Sequence, residues 1–221
     1  MDSTFKSGER LYSIDKFGVI HQEDAKPFMK DYAAVYASPE YKSKEVAISA
    51  LRVAWVIASY TAAFDQLGID SLVDVGYGNG AFLKAASRII PKTFGCDISS
   101  VNVPEGSRRV MDINGCDVVT FWDSLEHHES LEFLRDLRTK MIALSAPWYH
   151  HALGEPFEKW KHRKPDEHLH HFSPQSLSKF MDAMGWRFLS CGRPEDLIRI
   201  PTDSTPNILS ATFVRKDADR G

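Results

Sequence analysis

The 221-residue chain reads as an α/β protein: a three-layer sandwich with a mostly parallel seven-stranded sheet, the last strand antiparallel, plus an N-terminal helical extension. Three observations predict this. From residue 43 onward, short apolar runs alternate with segments of helical period. The run Leu72-Val73-Asp74-Val75 ends in a carboxylate and then in glycines at alternate positions, Gly76, Gly78 and Gly80. Finally, Asp74, Asp97, Asp112, Asp123 and Pro147 all fall at the carboxyl ends of predicted strands, where open α/β sheets take their ligands.

The elements follow in order. Residues 1–42 carry Tyr12, Phe17, Phe28, Tyr32, Tyr36 and Tyr41 among many charges without strand alternation, which predicts a helical cap or lid with aromatics on its inner side; residues 43–221 form the main domain. Pro39 marks a helix boundary. A helix is expected over 43–67. Its apolar stretch from Val46 to Phe64 is interrupted by Ser49, Arg52, Ser59 and Thr61, so it reads as a packed amphipathic helix rather than a membrane span. Strands are expected at 71–75, 93–97, 108–112, 117–122, 141–146, 186–191 and 208–215, and further helices at 80–89, 129–138 and 174–184. Ser173 and Pro174 supply the cap and first-turn proline of the last helix. The final two strands suit an edge hairpin.

Composition narrows the function classes. Lys and Arg total 27 against 30 Asp and Glu, a net charge of −3, so no global positive field draws the chain to nucleic acid or an anionic membrane. Cys96, Cys116 and Cys191 are odd in number and lack C-x-x-C spacing, against a disulfide framework or a thiolate zinc site and in keeping with a reducing cytoplasm. The polar N-terminus has no apolar signal region.

The glycine turn lets main chain approach a ligand without a Cβ in the way, with helix amides facing the bound molecule. A buried Asp74 would repel a pyrophosphate and favours a cation instead. S-adenosylmethionine carries a sulfonium and an α-ammonium and suits such an acidic wall. Gly76, Gly78 and Ala81 also satisfy the G-x-G-x-x-G/A form of the nicotinamide fingerprint, so glycine spacing leaves both classes open.

Asp74-Val75-Gly76-Tyr77-Gly78-Asn79-Gly80 resembles the first motif of the class I S-adenosylmethionine-dependent methyltransferases. The resemblance runs to the C-terminus through Phe94-Gly95-Cys96-Asp97, Asp117 to His127, and His168 to Leu177 followed by Gly185-Trp186. It implies S-adenosyl-L-methionine as cofactor, held by Asp74, Gly76, Tyr77, Gly78 and Gly80. Asp97 and Ile98 would lie at the ribose, Asp112 and Ile113 at the adenine, and Trp122 and Asp123 at the methionine end. Asp97 has a second reading, as the cap of a helix starting at Ile98. Asp123-Ser124-Leu125-Glu126-His127 resembles members that act on small molecules; neither Asn-Pro-Pro-Tyr nor Pro-Cys is present.

Six of the nine histidines lie between His150 and His171. Imidazole titrates near neutrality, and His127, His168 and His171 are the candidate general bases for an acceptor hydroxyl. His168-x-His170 also has metal-ligand spacing, but Glu167 to Pro174 resembles a segment of metal-free family members, and no metal ion is expected. Lys159, Lys161, Arg163 and Lys164 beside Trp160 would suit an anionic acceptor. The function expected is methyl transfer to a small molecule, first of all at oxygen. A nucleic-acid or protein methyltransferase, a non-catalytic donor-binding module and a nicotinamide-dependent oxidoreductase stay open.

Overall fold

A computed structural model describes residues 3–27, 39–66, 68–150, 154–201 and 205–217. Its centre is a seven-stranded sheet of β4 (Ser71–Val75), β5 (Lys92–Cys96), β6 (Ser107–Arg109), β7 (Val118–Trp122), β8 (Met141–Pro147), β10 (Trp186–Gly192) and β11 (Ile208–Arg215). The spatial order is β10-β11-β8-β7-β4-β5-β6. β4 pairs in parallel with both β5 and β7, whereas β11 lies antiparallel to β8 and β10. The order therefore reverses at β4, and the crevice beyond its carboxyl end opens between β4 and β5 on one side and β7 on the other. The strands come from near-continuous apolar runs because both faces are covered: Val118 to Trp122 and Met141 to Pro147 are buried throughout.

Helix α1 (Pro39–Phe64) and the short α2 (Ala81–Ala86) cover one face, packing Val53, Val56, Tyr60, Phe82 and Leu83 against Leu72, Val118 and Met141. On the other face, α3 (Phe133–Asp136) and α5 (Pro174–Ala183) bury Leu134, Leu177, Phe180 and Met181 against Val73, Val119, Phe121 and Ile142. The N-cap foreseen at Ser173 forms, and the structure adds a capping box with Ser176 as its reciprocal partner. Residues 43–64 are long and apolar enough to cross a membrane by length and composition. In the fold their inner side packs on the sheet and carries the buried Arg52.

Residues 3–27 depart from expectation. In place of a helical cap, β1 (Ser3–Ser7), β2 (Arg10–Ile14) and β3 (Ile20–Gln22) form an antiparallel meander that is completed by β9 (His170–His171). Strand alternation is masked because the sheet wraps an aromatic cluster of its own: Tyr12 and Ile20 pack with Phe157 and Trp160, and Phe157 lies on α4 (Glu155–Glu158). The Asp166 carboxylate pins this small sheet, accepting from Arg10 Nε at 3.1 Å and Gln22 Nε2 at 2.8 Å. α1 begins at Pro39, upstream of the expected boundary at residue 43. Phe28, Tyr32 and Tyr36 lie outside the described residues.

Candidate active site

Asp74 ends β4 one residue before its last, 2% exposed, with the Thr120 hydroxyl of β7 donating to its carboxylate at 2.7 Å. Burial pushes the carboxyl up to about 7, against the Thr120 hydrogen bond and the field of Arg52, which pull it down. Without a cation beside it, this acid is half protonated near neutrality. The turn that follows is tight because glycine alone fits. Gly76 has φ of 75°, and a Cβ on it would stand 2.6 Å from the Ser124 Cβ. Gly80 has φ of 76°, and its Cβ would stand 2.9 Å from Pro104.

The amides of this turn are not free, which corrects the expectation that they face a ligand. Gly76 N–H donates to the Cys96 carbonyl (2.7 Å), Gly78 N–H to Asp97 Oδ2 (2.9 Å), Gly80 N–H to the Tyr77 carbonyl (2.8 Å) and Ala81 N–H to Asn79 Oδ1 (2.9 Å). A pyrophosphate site works through such donors. With these four spent and a carboxylate behind them, the turn offers clearance and negative charge, the requirements of a cationic ligand.

Asp97 does not cap a helix, since none starts at Ile98; its second oxygen takes the Ser99 amide at 2.7 Å, so the carboxylate ties the loop after β5 to the glycine turn. Ile98 is fully exposed. The Tyr77 ring turns inward, 4% exposed, where a Cβ on Gly95 would stand 2.6 Å from it, so Tyr77 reaches a ligand only through main chain. Arg109 braces this loop, donating to the carbonyls of Asp97 and Ser99 at 2.5 Å and to the Tyr77 hydroxyl at 3.2 Å. Asp112 is exposed beyond the end of β6, and Asn114 donates to its carboxylate through N (3.0 Å) and Nδ2 (2.8 Å), holding it below the usual carboxylate range. Ile113 packs against the core. β6 ends at Arg109, three residues short of expectation, because the chain leaves the edge of the sheet.

At the tip of β7, Asp123 has φ of 51° and does not point a free carboxylate at the crevice. Arg52 and Arg199 both donate to its Oδ2 at 2.8 Å. Arg52 also grips Glu195 through Nε (2.7 Å) and Nη2 (2.9 Å), and its guanidinium lies 4.9 Å over the Trp122 ring. The two guanidiniums hold Asp123 well below the usual carboxylate range despite its burial. Trp122 itself is 6% exposed and packs edge-on to Phe82.

Beyond Asp123, the turn Leu125–His127 carries His127, one of the three expected bases, and brings it to another, His168. The His127 and His168 rings stand edge to face, 4.8 Å between centroids. Burial lowers the affinity of both for a proton, His168 down to about 3, so both rings are neutral at pH 7. His168 Nδ1 lies 2.8 Å from the His162 carbonyl and must donate to it, leaving Nε2 as a lone pair. Glu126 beside them is 1% exposed. His171 does not join them. Successive strand residues point to opposite faces, so His170 meets His21 and the His128 carbonyl, each at 2.8 Å, while His171 is buried among Tyr12, Phe157 and Trp160. His168, which precedes β9, meets the His127 ring whereas His170 meets His21, so the two do not form the pair their spacing suggested. The basic run does not converge either: Lys159 pairs with Glu155, Lys164 with Glu167, and Arg163 lies over the Tyr12 and Phe157 rings.

A family model described as a methyltransferase domain matches residues 35–190. The chain belongs to this methyltransferase family. No curated protein matches it. Among solved structures, it is similar to the Burkholderia thailandensis 1,6-didemethyltoxoflavin-N1-methyltransferase, with 13% identity over 98% of this chain and 99% of that one and a TM-score of 0.55. It is also similar to magnesium protoporphyrin IX methyltransferase from Synechocystis PCC 6803, with 15% identity over 83% and 92% and a TM-score of 0.54. Both were crystallised with S-adenosylhomocysteine. At these identities the likeness is one of fold, that of the class I S-adenosylmethionine-dependent enzymes.

Within this methyltransferase, sequence reasoning missed Arg52, Glu195 and Arg199, which fix Asp123, and Thr120, which holds Asp74. One signal existed: a lone arginine in the apolar stretch of α1 needs a buried anionic partner. Its partner lies 143 residues away, with nothing local to mark it.

Proposed function

We propose that this enzyme transfers a methyl group from S-adenosylmethionine to a small-molecule acceptor, at oxygen. The observation that carries the reading is the buried Asp74 behind a glycine turn whose amides at Gly76, Gly78, Gly80 and Ala81 are already paired, a combination that accepts a cation and rejects a pyrophosphate. Asp74 would take the donor's ammonium, with Gly76, Tyr77, Gly78 and Gly80 offering main-chain clearance. Asp97 retains lone pairs for the ribose hydroxyls beside its two amide bonds, with Ile98 next to it, and Asp112 and Ile113 would border the adenine. Trp122 and the Asp123 turn would floor the methionine end, where Arg52 and Arg199 keep Asp123 neutralised and rigid. When bound, the donor supplies an electrophilic methyl on a sulfonium.

The chain's own contribution is to hold the acceptor in line and exclude water. His127 and His168 stand at the strand tip as neutral imidazoles able to receive the acceptor's hydroxyl proton, and His127, whose side chain is 31% exposed, is the one an acceptor reaches. Titanium-dioxide or charge-based enrichment presupposes a substrate class; a radiolabelled-methyl assay against fractionated small-molecule extract does not, and it tests the reading directly. Label in a small organic product whose methyl is carried by oxygen, as an ether or an ester by mass spectrometry and NMR, supports it, and label on nitrogen or carbon of a small molecule refutes the oxygen assignment. Label only in nucleic acid or protein, or donor binding without product in any pool, refutes it. The small-molecule enzymes among the structural neighbours support a small-molecule acceptor.

A further inference from the structure

Among the described residues, Glu126 is a buried carboxyl, 1% exposed, whose two oxygens both lack a hydrogen-bond partner. An unpaired buried carboxyl costs more than almost any other side chain left in that condition. Its neighbours do not relieve it. His127 Nε2 is 4.0 Å from Glu126 Oε1, and the His127 ring is hydrogen-bonded to the main chain at Glu167. His168 donates its Nδ1 proton to the His162 carbonyl. Each neutral ring has thus committed its single N–H to a carbonyl, and what remains on each is a lone pair. Two imidazole lone pairs and a buried carboxyl, which burial pushes well above its ordinary range, then converge without a hydrogen bond between the carboxyl and either ring, their ligand atoms all within 4.8 Å of one another.

We infer that Glu126, His127 and His168 form a site for a divalent transition-metal ion of the zinc type, contrary to the expectation from the sequence. The donor set, one carboxylate and two imidazoles, suits zinc and its neighbours rather than magnesium or calcium, which prefer all-oxygen ligands. The carbonyl bonds of the two rings are the outer-shell contacts that orient metal-binding imidazoles and fix their tautomers. A tetrahedral ion with bonds of about 2.0–2.1 Å sets its ligands about 3.4 Å apart, so the cluster must contract by roughly 1.4 Å, within the reach of the Glu126 side chain. Lys164, the nearby cation, is engaged with Glu167 at 3.2 Å. The site does not depend on the identity of the acceptor. A metal here and a free His127 base are alternative states of the same pair.

Metal uptake by the intact protein tests this. After chelation and dialysis, wild-type protein should bind about one equivalent of Co2+ or Zn2+, with Co2+ giving the visible absorption of a four- or five-coordinate ion. E126Q supplies an amide donor to the lone pairs in an unchanged shape, so it should fold normally and weaken binding at least tenfold; H168A should do the same. H150A, which alters an exposed histidine outside the cluster, should bind as wild type. No stoichiometric uptake by wild type, or uptake surviving in E126Q, overturns the site. Methyl transfer measured on the same samples separates the two readings. Product without metal uptake defeats the metal and leaves the methyltransferase reading, whereas metal uptake without product from any pool does the reverse.

Discussion

Donor affinity should rise with pH, and Asp74 sets both the direction and the size of the change. In the ligand-free protein, burial pushes its carboxyl up to about 7. An ammonium placed against it requires the carboxylate, so donor binding must expel the proton, and observed affinity follows the ionised fraction. Between pH 5.5 and 7.5 that fraction rises about 25-fold, equivalent to roughly 1.9 kcal/mol, and it levels off above about pH 8. Calorimetry with S-adenosylhomocysteine in two buffers of different ionisation heat reads both quantities. At pH 6 close to one proton is released per ligand, and at pH 8.5 none. Asp74→Asn should flatten the profile and weaken binding at pH 7.5 by the worth of a charge-assisted hydrogen bond, about 1.5–3 kcal/mol. Thr120→Val removes the hydroxyl that donates to Asp74 at 2.7 Å and lowers its carboxyl, so it should move the midpoint of the profile upward. Wild-type affinity constant from pH 5.5 to 7.5, with no proton released, refutes the placement of a cation at Asp74.

The same carboxyl affects stability without ligand. Its folded value lies above the ordinary 3.8, so the penalty is absent below that pH, grows as pH rises toward about 7 and is complete above it, at most about 4 kcal/mol. Asp74→Asn should therefore raise the melting temperature at pH 8 and leave it nearly unchanged at pH 4, as read by differential scanning calorimetry. Gly76→Ala places a Cβ 2.6 Å from Ser124 on a residue with φ of 75°, and should cost about 2–4 kcal/mol in urea unfolding together with measurable donor binding. Arg52→Met leaves the buried Glu195 and Asp123 with Arg199 alone and should cost about 3–5 kcal/mol by the same measurement; a loss below 1 kcal/mol would mean that the network does not hold the β7 tip.

What could be read from the chain divides along a physical line. Strands β4, β5, β7, β8, β10 and β11 were legible because each is a short run rich in apolar residues bounded by polar turns, and strand 208–215 falls where the structure has it; the short polar β6 was placed only in part. Helix 129–138 shrinks to Phe133–Asp136, because its apolar residues Leu131, Leu134 and Leu137 anchor the segment to the core without needing a continuous helix. The N-terminal sheet was illegible. Its strands bury aromatics against Phe157, Trp160 and His171, which arrive from the far end of the chain, and β9 contributes only two residues to the edge. A pattern whose buried side is supplied from that distance has no local period to detect.

The site divides in the same way, and there the division bears on function. Glycine spacing announces where main chain can come close, a property each residue carries by itself. Whether the amides of that turn are available is a different matter, decided by Cys96 at the end of β5, by Asp97 just beyond it and by Tyr77 and Asn79 within the turn. Dinucleotide and sulfonium sites can share one glycine pattern because they differ in this second property, the fate of the N–H groups. Asp97 joins the two levels: placed at a strand end by the sequence, it spends one oxygen on the Gly78 amide and so removes an anion's donor. With the amides of Gly76, Gly78, Gly80 and Ala81 already paired, the turn has no spare donor there for an anion, and a cation placed beside Asp74 would draw its carboxyl into the charged form.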